Sequence, residues 1–291
     1  MTDAVQDLKD NPLLVSSGLP PFDRIRPEHV VPAVRHVLQE SEARLTEIEQ
    51  NIAPTWEATI EALDRIGCRF EYAWGPVSHL FGVRNSPELR TAYDEVLGEV
   101  VAWGLRVRQS EPVYRALKEI REGSTWETLS EVRQRIITER LRDAELAGIA
   151  LTGADRKRFN EIAGELSRLQ TEFSNHVLDA TKAFALELTT AEEVDGLPPS
   201  LLQLAAQSWN MDRAASQEGI TPAPAEQPQA TPENGPWRIT LDIPSFGPFM
   251  QHSRRPDLRE QLYRAYLTRA SSGDLDNCPV IDAILSLRQE S

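Results

Sequence analysis

The chain has 291 residues, enough for one large domain or two ordinary ones and for a core that needs no covalent staples. Its 31 basic residues against 45 acidic ones leave a formal charge of −14, which repels phosphate backbones and anionic lipid headgroups and so disfavours nucleic-acid and membrane roles. Cys68 and Cys278 are too few for a disulfide framework or a four-ligand zinc site, Met1 to Asp10 lacks the apolar stretch of a signal peptide, and no run approaches the ~18 apolar residues of a membrane span; the expected setting is the reducing cytoplasm.

In chain order, residues 1–24 read as an extended N-terminal segment. Three amphipathic helices follow, each with one apolar stripe at the 3.6-residue period. The first stripe is Val30, Val34, Val37, Leu38, Leu45 and Ile48. The second runs from Trp56 through Ile60, Leu63, Ile66, Phe70, Trp74 and Val77 to Phe81, and the third from Leu89 through Tyr93, Val96, Val100 and Trp103 to Val107. Ser86 before Pro87 is a cap followed by a proline at the first helical position. Ser124 with Glu127, and Thr152 with Asp155, read as capping boxes that open helices over about 125–148 and 153–181. The second of these carries a coiled-coil-like seam of Phe159, Ile162, Leu166, Leu169 and Phe173.

The period then falls to two. Phe184, Leu186 and Leu188, and later Trp237, Ile239, Leu241 and Ile243, alternate with other residues and predict an antiparallel ribbon of about 183–188 with 237–243. A helix of about 199–210 lies between them. After it, five prolines among Ala, Gln, Glu and Thr predict a disordered loop over 212–235. Short helices are expected at about 245–251, 256–270 and 279–291. The fold class is therefore mainly α, an antiparallel helical array with one short β-ribbon. The expected organisation is a helical domain over 25–182 and a ribbon-plus-helix region over 183–291.

Chemistry is sparse. No phosphate-binding glycine loop, no GxSxG elbow and no CxxC is present. HExxH, which sets two zinc-binding histidines one helical turn apart with a glutamate base between them, is absent. His36 with Glu40, and Glu172 with His176, are spaced to hold one face of a metal, but a surface hydrogen bond is the commoner use of such a pair. His29 stands two turns from His36, and His79 and His252 fall near expected helix ends, where they would cap carbonyls. Trp56, Phe70, Trp74 and Trp103 read as core. Arg254, Arg255, Arg259, Arg264 and Arg269, interleaved with Asp257 and Glu260, read as a salt-bridged face, with an acidic partner or a peptide C-terminus as the minor alternative. No catalytic, cofactor-binding or metal-ligating residue is assigned.

A series of short segments adds a resemblance. Asn11-Pro12-Leu13-Leu14, Arg26-Pro27-Glu28-His29-Val30-Val31-Pro32-Ala33, Val177-Leu178-Asp179-Ala180-Thr181 and Leu241-Asp242-Ile243-Pro244-Ser245 occur in order. Leu262-Tyr263-Arg264-Ala265-Tyr266, Thr268-Arg269-Ala270, Asp276-Asn277, Pro279-Val280-Ile281 and Ile284-Leu285-Ser286-Leu287-Arg288 follow. Together they resemble the N-terminal part of oligopeptidase A-type enzymes, in the thimet oligopeptidase family of zinc metallopeptidases. The resemblance implies a helical wall and roof of a deep channel that admits short peptides. It also implies a zinc domain beyond these residues, where HExxH and a later glutamate hold the metal. Zinc is thus expected of the full-length enzyme and no cofactor of this chain, which alone is expected to be inactive. Short peptides, and a separate chain carrying the zinc domain, are the expected partners; a stand-alone helical binding module is the alternative. Ser291 falls within or just after a helix whose face of Val280, Ile281, Ile284 and Leu287 is expected to want a partner.

Overall fold

The computed structural model describes residues 8–217 and 229–291. It divides into two compact units, Met1–Arg168 with Ser291, and Leu169–Glu290.

The first unit opens on a 3-10 turn, Pro12–Leu14, inside the segment expected to be extended. The Asn11 side chain makes this turn: its Oδ1 accepts from Leu13 N at 3.0 Å and its Nδ2 donates to the His29 carbonyl at 2.9 Å. Helix α1 then spans Val30–Asn51. A π-helical turn, Glu57–Glu61, leads into α2, Ala62–Val83. Helix α3 spans Pro87–Arg108, and Ser86 caps it as expected, accepting from Leu89 N at 3.2 Å. Helix α4, Glu111–Glu122, is capped in the same way by Ser110 and buries Val113, Ala116, Leu117 and Ile120; the sequence reading assigned nothing here.

The box expected at Ser124 and Glu127 does not form. Trp126–Thr128 make a 3-10 turn instead, and the working cap is Ser130, whose Oγ accepts from Arg133 N at 3.4 Å. Helix α5 is accordingly Glu131–Leu146, shorter than the expected 125–148. Two apolar cores fill the unit. One gathers Leu13, Val30, Val34, Val77, Leu89 and Val96; the other gathers Leu45, Ile60, Val113, Leu117, Ile137 and Leu141. Trp74 flanks the first, Trp56 and Trp103 flank the second, and Phe70 is half-buried, so the aromatic stripes pack as core.

Helix α6, Gly153–Ala183, contains the point at which the units divide. That point lies at 168/169, inside the helix.

In the second unit β1, Leu186–Leu188, pairs antiparallel with β2, Trp237–Ile239, with Leu186 opposite Ile239 and Leu188 opposite Trp237. The ribbon is the expected one, with fewer residues in each strand. Helix α7 runs from Pro199 to Gln217, so 212–217 is helical rather than loop. The loop expectation also fails at its far end. Asn210, on α7, clasps Ala230 with both halves of its amide: Nδ2 donates to the Ala230 carbonyl at 3.0 Å, and Oδ1 accepts from Ala230 N at 2.9 Å. Thr231 and Gly235 then bridge, and Trp237 Nε1 donates to the Pro232 carbonyl at 3.1 Å. The rest of the expected loop, 218–228, lies outside the described residues.

Helices α8 (Ile243–His252), α9 (Pro256–Thr268) and α10 (Cys278–Glu290) complete the chain near the expected positions. The core of this unit gathers Leu188, Leu201, Trp237, Ile239, Leu241, Phe249 and Leu262. Gly196 carries a φ of +87°, and a Cβ there would stand 2.6 Å from the His252 carbonyl oxygen, so both the backbone conformation and the close approach require glycine.

Candidate functional site

The polar side chains singled out in the sequence do not converge. His36 Nε2 lies 3.6 Å from Glu40 Oε1 on the exposed side of α1, and Glu40 also meets Arg69 Nη2 at 3.3 Å. His29 Nδ1 accepts from Arg26 N at 3.0 Å. The His79 ring makes an edge contact with Phe22, centroids 5.4 Å apart, and caps no carbonyl in doing so. His252 is the exposed last residue of α8. His176 Nδ1 lies 2.9 Å from Asn277 Oδ1. Among the described residues no group of three or more His, Cys, Asp or Glu side chains could hold a metal ion. The residues present therefore do not fit the zinc that the family resemblance implies.

Asn277 is a structural hub that the sequence did not reveal. Only 3% exposed, it donates from Nδ2 to the Phe173 carbonyl at 3.1 Å, from its backbone N to the Ala270 carbonyl at 3.0 Å, and accepts from Ile281 N at 2.9 Å. It thereby fastens the start of α10 to the C-terminal half of α6. Next to it Cys278 is exposed, but the Asp276 carboxylate beside it pushes the thiol pKa up, away from nucleophilic use.

The arginine run is salt-bridged at three of its five positions. Arg254 meets Asp195 at 3.2 Å, Arg255 meets Asp257 at 2.6 Å, and Arg264 meets Glu260 at 2.7 Å. Arg259 donates to the Ser253 carbonyl, and the Arg269 guanidinium sits 3.8 Å from the Tyr266 ring centroid while donating to the Tyr266 carbonyl. These last two contacts hold the side chains in place without cancelling their charge.

The strongest charge network lies elsewhere, in the first unit. Arg106 on α3 grips Glu49 on α1 with both η nitrogens, at 2.7 and 2.6 Å, and reaches Glu42 through Nε at 3.2 Å. Ser110 Oγ donates to the same Glu49 at 2.5 Å. The Arg106 hydrogen bonds, aided by Ser110 and opposed by desolvation, hold the Glu49 carboxyl below its ordinary value. Gln109 Nε2 extends the network, donating to the Ala147 carbonyl and to Asn160 Oδ1, both at 2.8 Å. This network ties helices together and makes no opening for a substrate.

Helix α10 splits its stripe. Val280 and Leu287 turn inward at 6% and 8% exposure, whereas Ile281 and Leu285 stay outside at 42% and 55%. On α9, Tyr263 and Leu267 are likewise exposed. The first unit has a groove of about 660 Å³ between α1 and α2, and another of about 640 Å³ between residues 22–28 and 80–89.

Comparison with known proteins supplies what the site does not. Residues 34–156 match the family model for the N-terminal domain of neurolysin and thimet oligopeptidase. The chain is 47% identical over 285 residues to the organellar oligopeptidase A, chloroplastic/mitochondrial, of Arabidopsis thaliana, covering 98% of this chain and 34% of that protein. It is 47% identical to a probable cytosolic oligopeptidase A of the same plant, covering 97% of this chain and 38% of the relative. It is 38% identical to oligopeptidase A of Escherichia coli, covering 96% and 39%. The chain thus spans between a third and two fifths of the length of these curated relatives.

Proposed function

We propose that this chain, homologous to oligopeptidase A over nearly its whole length, forms the N-terminal channel-wall portion of a zinc metallo-oligopeptidase acting on short peptides. One observation carries this reading: near-complete coverage of this chain against about a third of the relative. The 291 residues hold no HExxH, so water activation and peptide-bond cleavage belong to residues outside them. What this chain contributes is a helical surface along which a peptide is confined. The outward apolar side chains Ile281 and Leu285 on α10 belong, in this reading, to the surface that meets the zinc domain. The cytoplasm is the proposed compartment. A relative named cytosolic, and the lack among the described residues of any helix long and apolar enough to cross a membrane, support it, while the organellar relative makes localisation a separate measurement.

The test is reconstitution. The purified chain is assayed for zinc after dialysis and for cleavage of a quenched fluorescent peptide, alone and with a second chain carrying the zinc domain of a relative. Alone, it is expected to hold no stoichiometric zinc and to give no chelator-sensitive cleavage. With the second chain, cleavage rises above that of the zinc domain alone, and amide exchange across 278–290 slows. One tightly held zinc with chelator-sensitive cleavage by the chain alone refutes the reading. Unchanged exchange and cleavage on mixing favour the stand-alone binding module.

A further inference from the structure

The groove between α1 and α2 gathers arginines from both helices. Three arginines line it, Arg44 on α1 and Arg65 and Arg69 on α2, against Glu40 and Glu47. Both carboxylates are already engaged, Glu47 with Arg44 at 3.2 Å and Glu40 with Arg69 at 3.3 Å. Arg65 is exposed and has no hydrogen-bond or ion-pair partner among the described residues. Arg69 is three-quarters buried, and its second terminal nitrogen, Nη1, is covered and unpartnered. Ser41, 2% exposed, also lines the groove with an unpartnered hydroxyl. Buried donors are ordinarily satisfied, and these two, closed to water as the groove stands, lack an acceptor.

The helix itself carries a matching signal. Arg65 and Arg69 lie one turn apart, a mildly unfavourable like-charge spacing, and Glu40 answers Arg69 but not Arg65. Three arginines against two glutamates leave one positive charge. The remaining wall is apolar, from Ala43, Ile48, Ala62 and Ile66, and the volume of about 660 Å³ suits a small organic molecule. Guanidinium groups favour planar oxyanions that accept two hydrogen bonds.

We infer that this groove binds an organic monocarboxylate with an apolar body, its carboxylate held by Arg65 and Arg69. A peptide ending in an apolar residue and a free aliphatic acid share that chemistry. The inference does not depend on the peptidase reading, because every group it uses lies on α1 and α2.

Calorimetric or NMR titration of the full chain tests it with three probes: N-acetyl-Ala-Ala-Leu as the free acid, the same peptide as its C-terminal amide, and octanoate. The free acid is expected to bind at least about tenfold more tightly than the amide, because a charge-assisted hydrogen-bonded pair is lost. Octanoate equal to the peptide acid identifies free acids as the source; octanoate weaker identifies peptide C-termini. Arg65→Gln, at an exposed position with nothing to unpair, is expected to fold normally and to weaken binding by about tenfold. Equal binding of acid and amide, unchanged binding by Arg65→Gln, displacement by equimolar inorganic phosphate, or no binding at millimolar concentration would each overturn the inference.

Discussion

Replacing Arg106 with methionine should expose how the first unit is held together. Methionine keeps much of the side-chain volume and removes the fork that grips Glu49 and reaches Glu42. Glu49 would remain, 14% exposed, with only Ser110 as a partner. Removing one member of a fully buried ion pair costs about 3–5 kcal/mol. Arg106 itself is 36% exposed, so solvent already screens part of the attraction, and a cost of about 2–3 kcal/mol is expected. Urea unfolding followed by circular dichroism is the assay. With a slope of about 1–3 kcal/mol/M, the midpoint should fall by roughly 1 M. The double variant Glu49→Gln/Arg106→Met removes the stranded charge and should recover part of the loss, giving a non-additive cycle. The acid limb gives a second reading. Because the folded Glu49 pKa is lowered, its contribution is fully present above the unfolded carboxylate value and is lost as pH falls through the folded value. The wild type should therefore weaken more steeply than Arg106→Met through that acidic window. An unchanged midpoint, or a double variant equal to the sum of the singles, would refute the assignment of Arg106 and Glu49 as a coupled pair.

Other perturbations probe other contacts. Asn277→Ala strands the Phe173 carbonyl and the His176 ring, should cost about 1–3 kcal/mol, and should raise amide exchange in 278–290 while leaving 30–146 unaffected. Gly196→Ala forces a Cβ against the His252 carbonyl at positive φ, so the thermal midpoint of the second unit should fall by several degrees. Phe249→Ala, at a fully buried core position, should lose about 3–5 kcal/mol in the same denaturation assay. Arg255→Ala breaks only an exposed pair and should leave the urea midpoint unchanged within error.

Much of this architecture was legible in the residues because helices announce themselves by period. The stripe from Val30 to Leu45 and the Ser86-Pro87 start appear in the structure as read. Helix α4 carries the same signal, with Val113, Ala116, Leu117 and Ile120 at helical spacing behind Ser110 and Pro112. The Ser124 error is different in kind. Ser124 and Ser130 each precede a glutamate, and only the packing of Trp126 and Leu129 against the core selects the later one. Period also could not say that Ile281 and Leu285 would face outward while Val280 and Leu287 turned in, since all four share one stripe in a linear reading. The Arg65–Arg69 spacing was present in the sequence, but its meaning depended on where Glu40 and Ser41 stood on a neighbouring helix.

At the two ends of the proline-rich stretch, 212–217 and 230–235, composition overstated disorder. Asn210 reaches twenty residues along the chain and fixes Ala230 through two hydrogen bonds, a pairing no local pattern encodes. Its consequence reaches the ribbon. Because Ala230 is fastened to α7 and Thr231 bridges Gly235 just before Trp237, β2 is anchored from the helix as well as from its partner strand, so a one-residue slip of β2 against β1 would have to break the clasp too.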